Sequence, residues 1–131
     1  MKVICIVGLP GAGKSHLAQE LRKNNNAVIF DDISDLELLE KFVKYTDKDI
    51  IITDPHFCFE FARKAAEEKI KNWSQGFVEL EWIYFENDPF SCWENVLQRK
   101  DNRKLSWMSV KIFSRFYKVP DSVTALPIWK G

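Results

Sequence analysis

Short runs of consecutive apolar residues alternate along this chain with longer stretches whose apolar residues recur every three or four positions. The first run, Lys2 to Val7 (K-V-I-C-I-V), suits a strand buried on both faces. From Ser15 to Lys23, Leu17, Ala18 and Leu21 share one helical face, and Asn24-Asn25-Asn26 is a polar break. Ala27 to Phe30 reads as a second strand ending at Asp31-Asp32, and residues 34–44 carry Leu36, Leu39 and Val43 at helical spacing. Asp49 to Thr53 (D-I-I-I-T) is a third strand ending at Asp54, after which Pro55 turns the chain. The clearest helix covers 57–73, with Ala62, Ala66, Ile70 and Trp73 on one face and Ser74-Gln75-Gly76 as its stop. Val78 to Phe85 is a fourth strand. Asn87-Asp88-Pro89 then opens a helix running to about Arg99, with Asp88 as N-cap and Pro89 at the first helical position. A charged stretch, Lys100 to Lys104, leads to a last helix at 106–117, and Val123 to Ile128 reads as a final strand.

Strands that alternate with helices pair in parallel through right-handed crossovers. The expected fold is therefore α/β, a three-layer sandwich around a mainly parallel five-stranded sheet, with residues 1–131 forming one domain. Ligands of such sheets gather beyond the carboxyl ends of the strands. Three features are expected there: the segment after the first strand, Asp31-Asp32 and Asp54.

That segment reads Gly8-Leu9-Pro10-Gly11-Ala12-Gly13-Lys14-Ser15 and matches the phosphate-loop pattern G-x-x-x-x-G-K-[ST] at every fixed position. It lies between a strand and a helix N-terminus, as the pattern requires. The glycines let the backbone curl so that successive N–H groups point at a phosphate chain, and the helix start adds its positive dipole end. Gly8, Pro10, Gly11, Ala12, Gly13, Lys14, Ser15 and neighbouring His16 are the expected nucleotide-binding residues. Lys14 would reach the β- and γ-phosphates and Ser15 would ligate magnesium, so ATP and Mg2+ are the expected cofactors.

Composition narrows the setting. With 46% hydrophobic and 29% charged residues the chain is an ordinary globular one. Cys5, Cys58 and Cys92 are odd in number and form no C-x-x-C pair, which argues against a disulfide framework or zinc and for a reducing, cytoplasmic setting. The N-terminal apolar run is too short for a membrane span. Net charge is zero but uneven: Asp31 to Glu68 holds 11 acids and 5 bases, whereas Leu97 to Lys118 holds 7 bases and one acid. The balanced total weighs against broad nucleic-acid coating, and the local basic segment suits a smaller polyanion such as a triphosphate.

Several residues carry two readings from the pattern alone. Asp54 sits where a carboxylate would position magnesium or an acceptor, or would cap the following turn. Asp31 and Asp32 offer a general base for an attacking hydroxyl, Asp32 preferred, or an N-cap for the 34–44 helix. Arg99 and Arg103 suit a lid around 99–106 that closes over the triphosphate, or a solvated basic helix end. His56 is placed to touch an acceptor or to serve the turn. The five tryptophans are expected in the core, with Trp107 and Trp129 as alternative base-stacking surfaces.

Taken together, the phosphate loop, the Asp pair after strand two, the Asp after strand three, the arginine-bearing lid and the terminal L-P-I-W resemble the P-loop kinases. The likeness is greatest to the kinase domain of bacteriophage polynucleotide kinase and to small phage-encoded kinase-like ATP-binding proteins. The resemblance covers most of the chain. It implies transfer of the γ-phosphate of ATP to a nucleotide or polynucleotide 5′ acceptor, by a monomer in the cytoplasm (the host's, if phage-encoded). By position it gives Lys14 and Ser15 the triphosphate and magnesium, Asp32 the catalytic base, and Asp54 acceptor or metal positioning. Arg99 and Arg103 become the lid, and Leu126-Pro127-Ile128 lies beside the adenine. Polynucleotide kinases carry an arginine a few residues beyond the base aspartate; here Ile33-Ser34-Asp35-Leu36 follows, with no arginine before Arg63. An ATP-binding or slow ATPase module acting through a partner is the alternative. A small-metabolite kinase is another, since F-D-D after strand two also resembles shikimate-type kinases.

Overall fold

The apolar run K-V-I-C-I-V forms β1 (Lys2–Val7), and it runs through the middle of the sheet because nothing in it but Lys2 asks for water. The computed structural model describes residues 1–24, 26–31, 40–41, 48–74, 78–99 and 106–130. After β1 come α1 (Lys14–Asn24), β2 (Ala27–Asp31), β3 (Asp49–Thr53), a 3-10 turn (Pro55–Cys58) and α2 (Glu60–Ser74). β4 (Glu79–Tyr84), α3 (Pro89–Gln98) and α4 (Trp107–Phe116) complete the order. Glu40 and Lys41 are helical; the rest of the 34–44 helix, most of the 99–106 lid, Asp32 and Arg103 lie outside the described residues.

The strands pair in parallel in the order β2-β3-β1-β4. The β1-to-β2 and β3-to-β4 crossovers run in opposite directions along the sheet, so connections of one hand place α1 and α2 on opposite faces. α1 lies over β1, β2 and β3. On the other face Phe57 meets Trp82 edge-on at 5.2 Å, and the Trp82 indole donates to Glu67 Oε1 of α2 at 2.7 Å. The centre is dry: Cys5, Ile6, Val7, Ile50, Ile51 and Ile52 are all fully buried. Edge strand β4 is mostly half-buried instead, and its Glu81 pairs with Lys2 at 2.6 Å.

The expected fifth strand shrinks to one residue. Leu126 bridges Phe85, donating to Tyr84 O at 2.8 Å and accepting from Glu86 N at 2.8 Å. Pro127 follows, with a fixed φ and no N–H to give. The Trp129 N–H then donates to Ala12 O at 3.0 Å, so the chain leaves the sheet for the phosphate loop. Among the described residues the sheet therefore has four strands, not five.

The sequence-encoded start of α3 is in place. Asp88 accepts from Ser91 N at 3.2 Å and Ser91 Oγ at 2.7 Å, and these bonds hold its carboxyl below the usual range. Pro89 takes the first position of α3. Asn87 then fastens α4, donating to Ser114 O at 2.9 Å and Tyr117 O at 3.0 Å.

Candidate active site

Parallel pairing sends every strand's C-terminal end to the same edge of the sheet. Register makes this specific: Thr53 stands beside both Ile6 and Asp31, one residue short of where β1 ends and the phosphate loop begins.

Gly11 and Gly13 have φ of 89° and 107°, a region that side chains with a Cβ rarely adopt. Space is as tight as conformation. A Cβ on Gly11 would collide with the Cys92 carbonyl oxygen of α3, and one on Gly13 would lie 2.5 Å from Trp129 Cβ. The loop is thus pressed from two sides by chain that follows it much later. Asn95 of α3 ties these sides together, its Nδ2 donating to Gly11 O at 2.9 Å and to Trp129 O at 2.5 Å. The Trp129 ring stacks on His16 at 4.3 Å and 22°.

Lys14 is buried, its Nζ donating to Gly8 O at 2.9 Å and Leu9 O at 3.0 Å. An ammonium at this place adds positive charge to the loop where phosphates would enter. Ser15 Oγ donates to Asp31 Oδ2 at 3.1 Å, and Thr53 Oγ1 donates to Asp31 Oδ1 in a short bond. The side chain that meets the loop serine is therefore Asp31.

Asp54, expected opposite Ser15, is buried and caps the 3-10 turn: its Oδ1 accepts from His56 N at 2.9 Å and lies 2.8 Å from His56 Nδ1. These contacts of Asp54, with the turn and with its own neighbour His56, are local, and the cap is one of its two readings from the sequence. Arg99 caps the C-terminus of α3, its N–H donating to Val96 O at 3.2 Å. Two buried thiols flank the loop, and burial pushes Cys58 and Cys92 up to about 12 against the pull of Lys14. Neither is a thiolate at neutral pH, which leaves them as packing residues.

Three residues of this region carried no functional reading in the sequence. Thr53 closes the apolar D-I-I-I-T run and looks like its end. Asn95 is one of several polar residues on α3, with Ser91, Glu94 and Gln98, and nothing local sets it apart. Arg63 is buried on α2, donating to Phe57 O at 2.7 Å and Cys58 O at 3.3 Å and lying over the Tyr84 ring at 5.6 Å. It fixes the turn that carries Asp54 and His56. Among the described residues no helix is long and apolar enough to cross a membrane.

A family model described as an AAA domain matches residues 4–107, from β1 through the first residue of α4. An uncharacterized protein of Acanthamoeba polyphaga mimivirus is 31% identical over 123 residues, covering 90% of this chain and 87% of its own. The structure is similar to a gluconokinase from Sinorhizobium meliloti 1021, with a TM-score of 0.66 over 99% of this chain and 84% of that one. At 11% identity the latter likeness establishes a shared fold.

Proposed function

The chain belongs to the AAA domain family, and from that premise we propose that it is a small P-loop kinase acting on a nucleotide or a polynucleotide 5′ end. The observation that carries this reading is the meeting of Lys14, Ser15 and Asp31 at one sheet edge, with a glycine loop between them shaped for phosphates. ATP is the phosphoryl donor. A hydroxyl and a carboxylate 3.1 Å apart are hard oxygen donors that suit magnesium, which takes few protein ligands and fills its shell with phosphate and water. Ser15 and Asp31 would hold the ion, whose charge offsets that of the phosphates. With Oδ1 engaged by His56, Asp54 serves the acceptor side.

In this reading Lys14 orients the phosphate chain and spreads the charge that develops on it. Asp32, next to Asp31 in sequence, takes the proton of the attacking hydroxyl. Arg99 and Arg103 close over the triphosphate. The test is transfer of label from γ-labelled ATP to 5′-hydroxyl oligonucleotides, nucleoside monophosphates and a metabolite pool, with Lys14→Ala as blank. Label on one acceptor class, lost in Lys14→Ala and in Asp32→Asn while ATP still binds to the latter, supports the kinase. Label released only as free phosphate overturns it.

One observation favours a second reading, an ATP-binding module that acts through a partner. The first arginine after β2 is Arg63, and its guanidinium is spent on carbonyls of the 3-10 turn. No arginine from that stretch is left to grip an acceptor phosphate, which favours a hydroxyl acceptor if the protein is a kinase.

A further inference from the structure

Beside Asp54 and His56 a run of aromatic rings leads from the edge of the core out to the surface. Phe59 stacks on Phe61 at 5.5 Å and 21°, and also meets Phe113 at 5.5 Å and Phe116 at 5.6 Å. His56 stands edge-on to Phe113 at 5.7 Å, which joins the run to the acceptor side of the site. Phe59 and Phe113 are half-buried and pin α4 to the 3-10 turn. Phe61 and Phe116 leave most of their surface uncovered, being 73% and 59% exposed.

The charge on the α4 side of these rings has one sign. From Ser106 to Lys118 the chain holds Lys111, Arg115 and Lys118 and no acid, and all three are exposed. Helical spacing puts Lys111 and Arg115 on one edge of α4 and Ile112 and Phe116 on the neighbouring one. Glu60, the acid next to Phe61, is paired with Lys64 at 3.2 Å. Exposed rings beside exposed cations are what a flexible, base-bearing polyanion needs: faces to stack on and charges to track its backbone.

We propose that the surface where the Pro55–Cys58 turn and the start of α2 meet α4 binds a short single strand of nucleic acid. Phe61 and Phe116 stack bases, and Lys111 and Arg115 hold phosphates. The inference rests on the reading of the acceptor as a nucleotide or polynucleotide and selects the polynucleotide. α4 spans about 15 Å, so the strand engaged is only a few nucleotides long.

The experiment is fluorescence anisotropy of a 3′-labelled, 5′-hydroxyl oligothymidine with the full chain, repeated over a salt series, alongside γ-phosphate transfer on the same samples. Phe61→Ala and Phe116→Ala should each weaken binding by about 5- to 150-fold, with Phe61→Tyr restoring it. Lys111→Gln with Arg115→Gln should lower the slope of log K against log salt by about 1.4. No binding at low salt, or binding indifferent to both rings, overturns the proposal. So does concentration-dependent self-association that Phe116→Ala abolishes with no oligonucleotide bound, since the surface would then be an interface between copies. Transfer to mononucleotides without oligonucleotide binding sinks this inference and leaves the kinase. Ring-dependent oligonucleotide binding without any transfer does the reverse.

Discussion

Gly13→Ala is the sharpest perturbation the loop offers, because the structure says what the added methyl would meet. Gly13 has φ of 107°, and a Cβ there would lie 2.5 Å from Trp129 Cβ. The backbone term alone is about 1–2 kcal/mol for a residue forced out of its preferred region. If the methyl also expels Trp129, the bond to Ala12 O and the ring stack on His16 go with it, each worth about 0.5–1.5 kcal/mol. The expected total is about 2–5 kcal/mol, a shift of about 1–3 M in a urea midpoint. Trp129→Gly is the partner variant, since Trp129→Ala would keep the colliding Cβ. In the Trp129→Gly background Gly13→Ala should cost only the backbone term, giving a coupling of about 1 kcal/mol or more in a double-mutant cycle by urea unfolding. A coupling below about 0.5 kcal/mol would refute the idea that the C-terminal segment is pressed onto the loop.

Asp31→Ala should raise the magnesium concentration for half-maximal nucleotide turnover by about 10- to 100-fold, read from a magnesium titration; an unchanged midpoint removes Asp31 from the ion. Arg63→Met leaves the Phe57 and Cys58 carbonyls without their donor and should destabilise by about 1–3 kcal/mol in urea, whereas a cost under about 0.5 would show that the turn stands without it. Cys58 and Cys92 stay protonated up to about 12 when folded, while unfolded thiols ionise from about 8.5. The raised pKa gives stability that is complete below about pH 8.5 and lost as pH climbs toward 12. Each thiol takes about 1.4 kcal/mol per pH unit, and Cys58→Ala/Cys92→Ala should flatten the slope in pH-dependent unfolding. Asp88→Ala should cost about 0.5–2 kcal/mol at about pH 7. Its carboxyl is depressed by Ser91, so that contribution disappears as pH falls below about 4, where variant and parent should converge.

Local signals decided most of the elements and half of the site. Five apolar residues in a row before a glycine loop suit a buried strand, and β1 and β3 were legible to the residue. The phosphate loop was legible because each of its constraints, small glycine, lysine, hydroxyl, acts within eight consecutive positions. Asp88-Pro89 announced α3 for the same reason: a cap binds its own next turn.

Which carboxylate would face Ser15 was a different kind of question. Asp31, Asp32 and Asp54 all end apolar strands, and the sequence pointed to Asp54 for magnesium and to Asp32 for the base. Register sets Asp31 beside Thr53 and within reach of Ser15, while Asp54 turns back on His56. Likewise nothing near Gly11 or Gly13 tells that Asn95 and Trp129, far along the chain, close on them. Sequence by itself determined the parallel α/β order and the loop that receives phosphate, since both follow from hydrophobic period and backbone conformation over short spans. Tertiary structure alone decided the serine's partner, the strap over the loop, and the loss of the fifth strand. Those outcomes depend on distances between chain segments, and a residue's identity carries no record of what packing will bring within hydrogen-bonding distance of it.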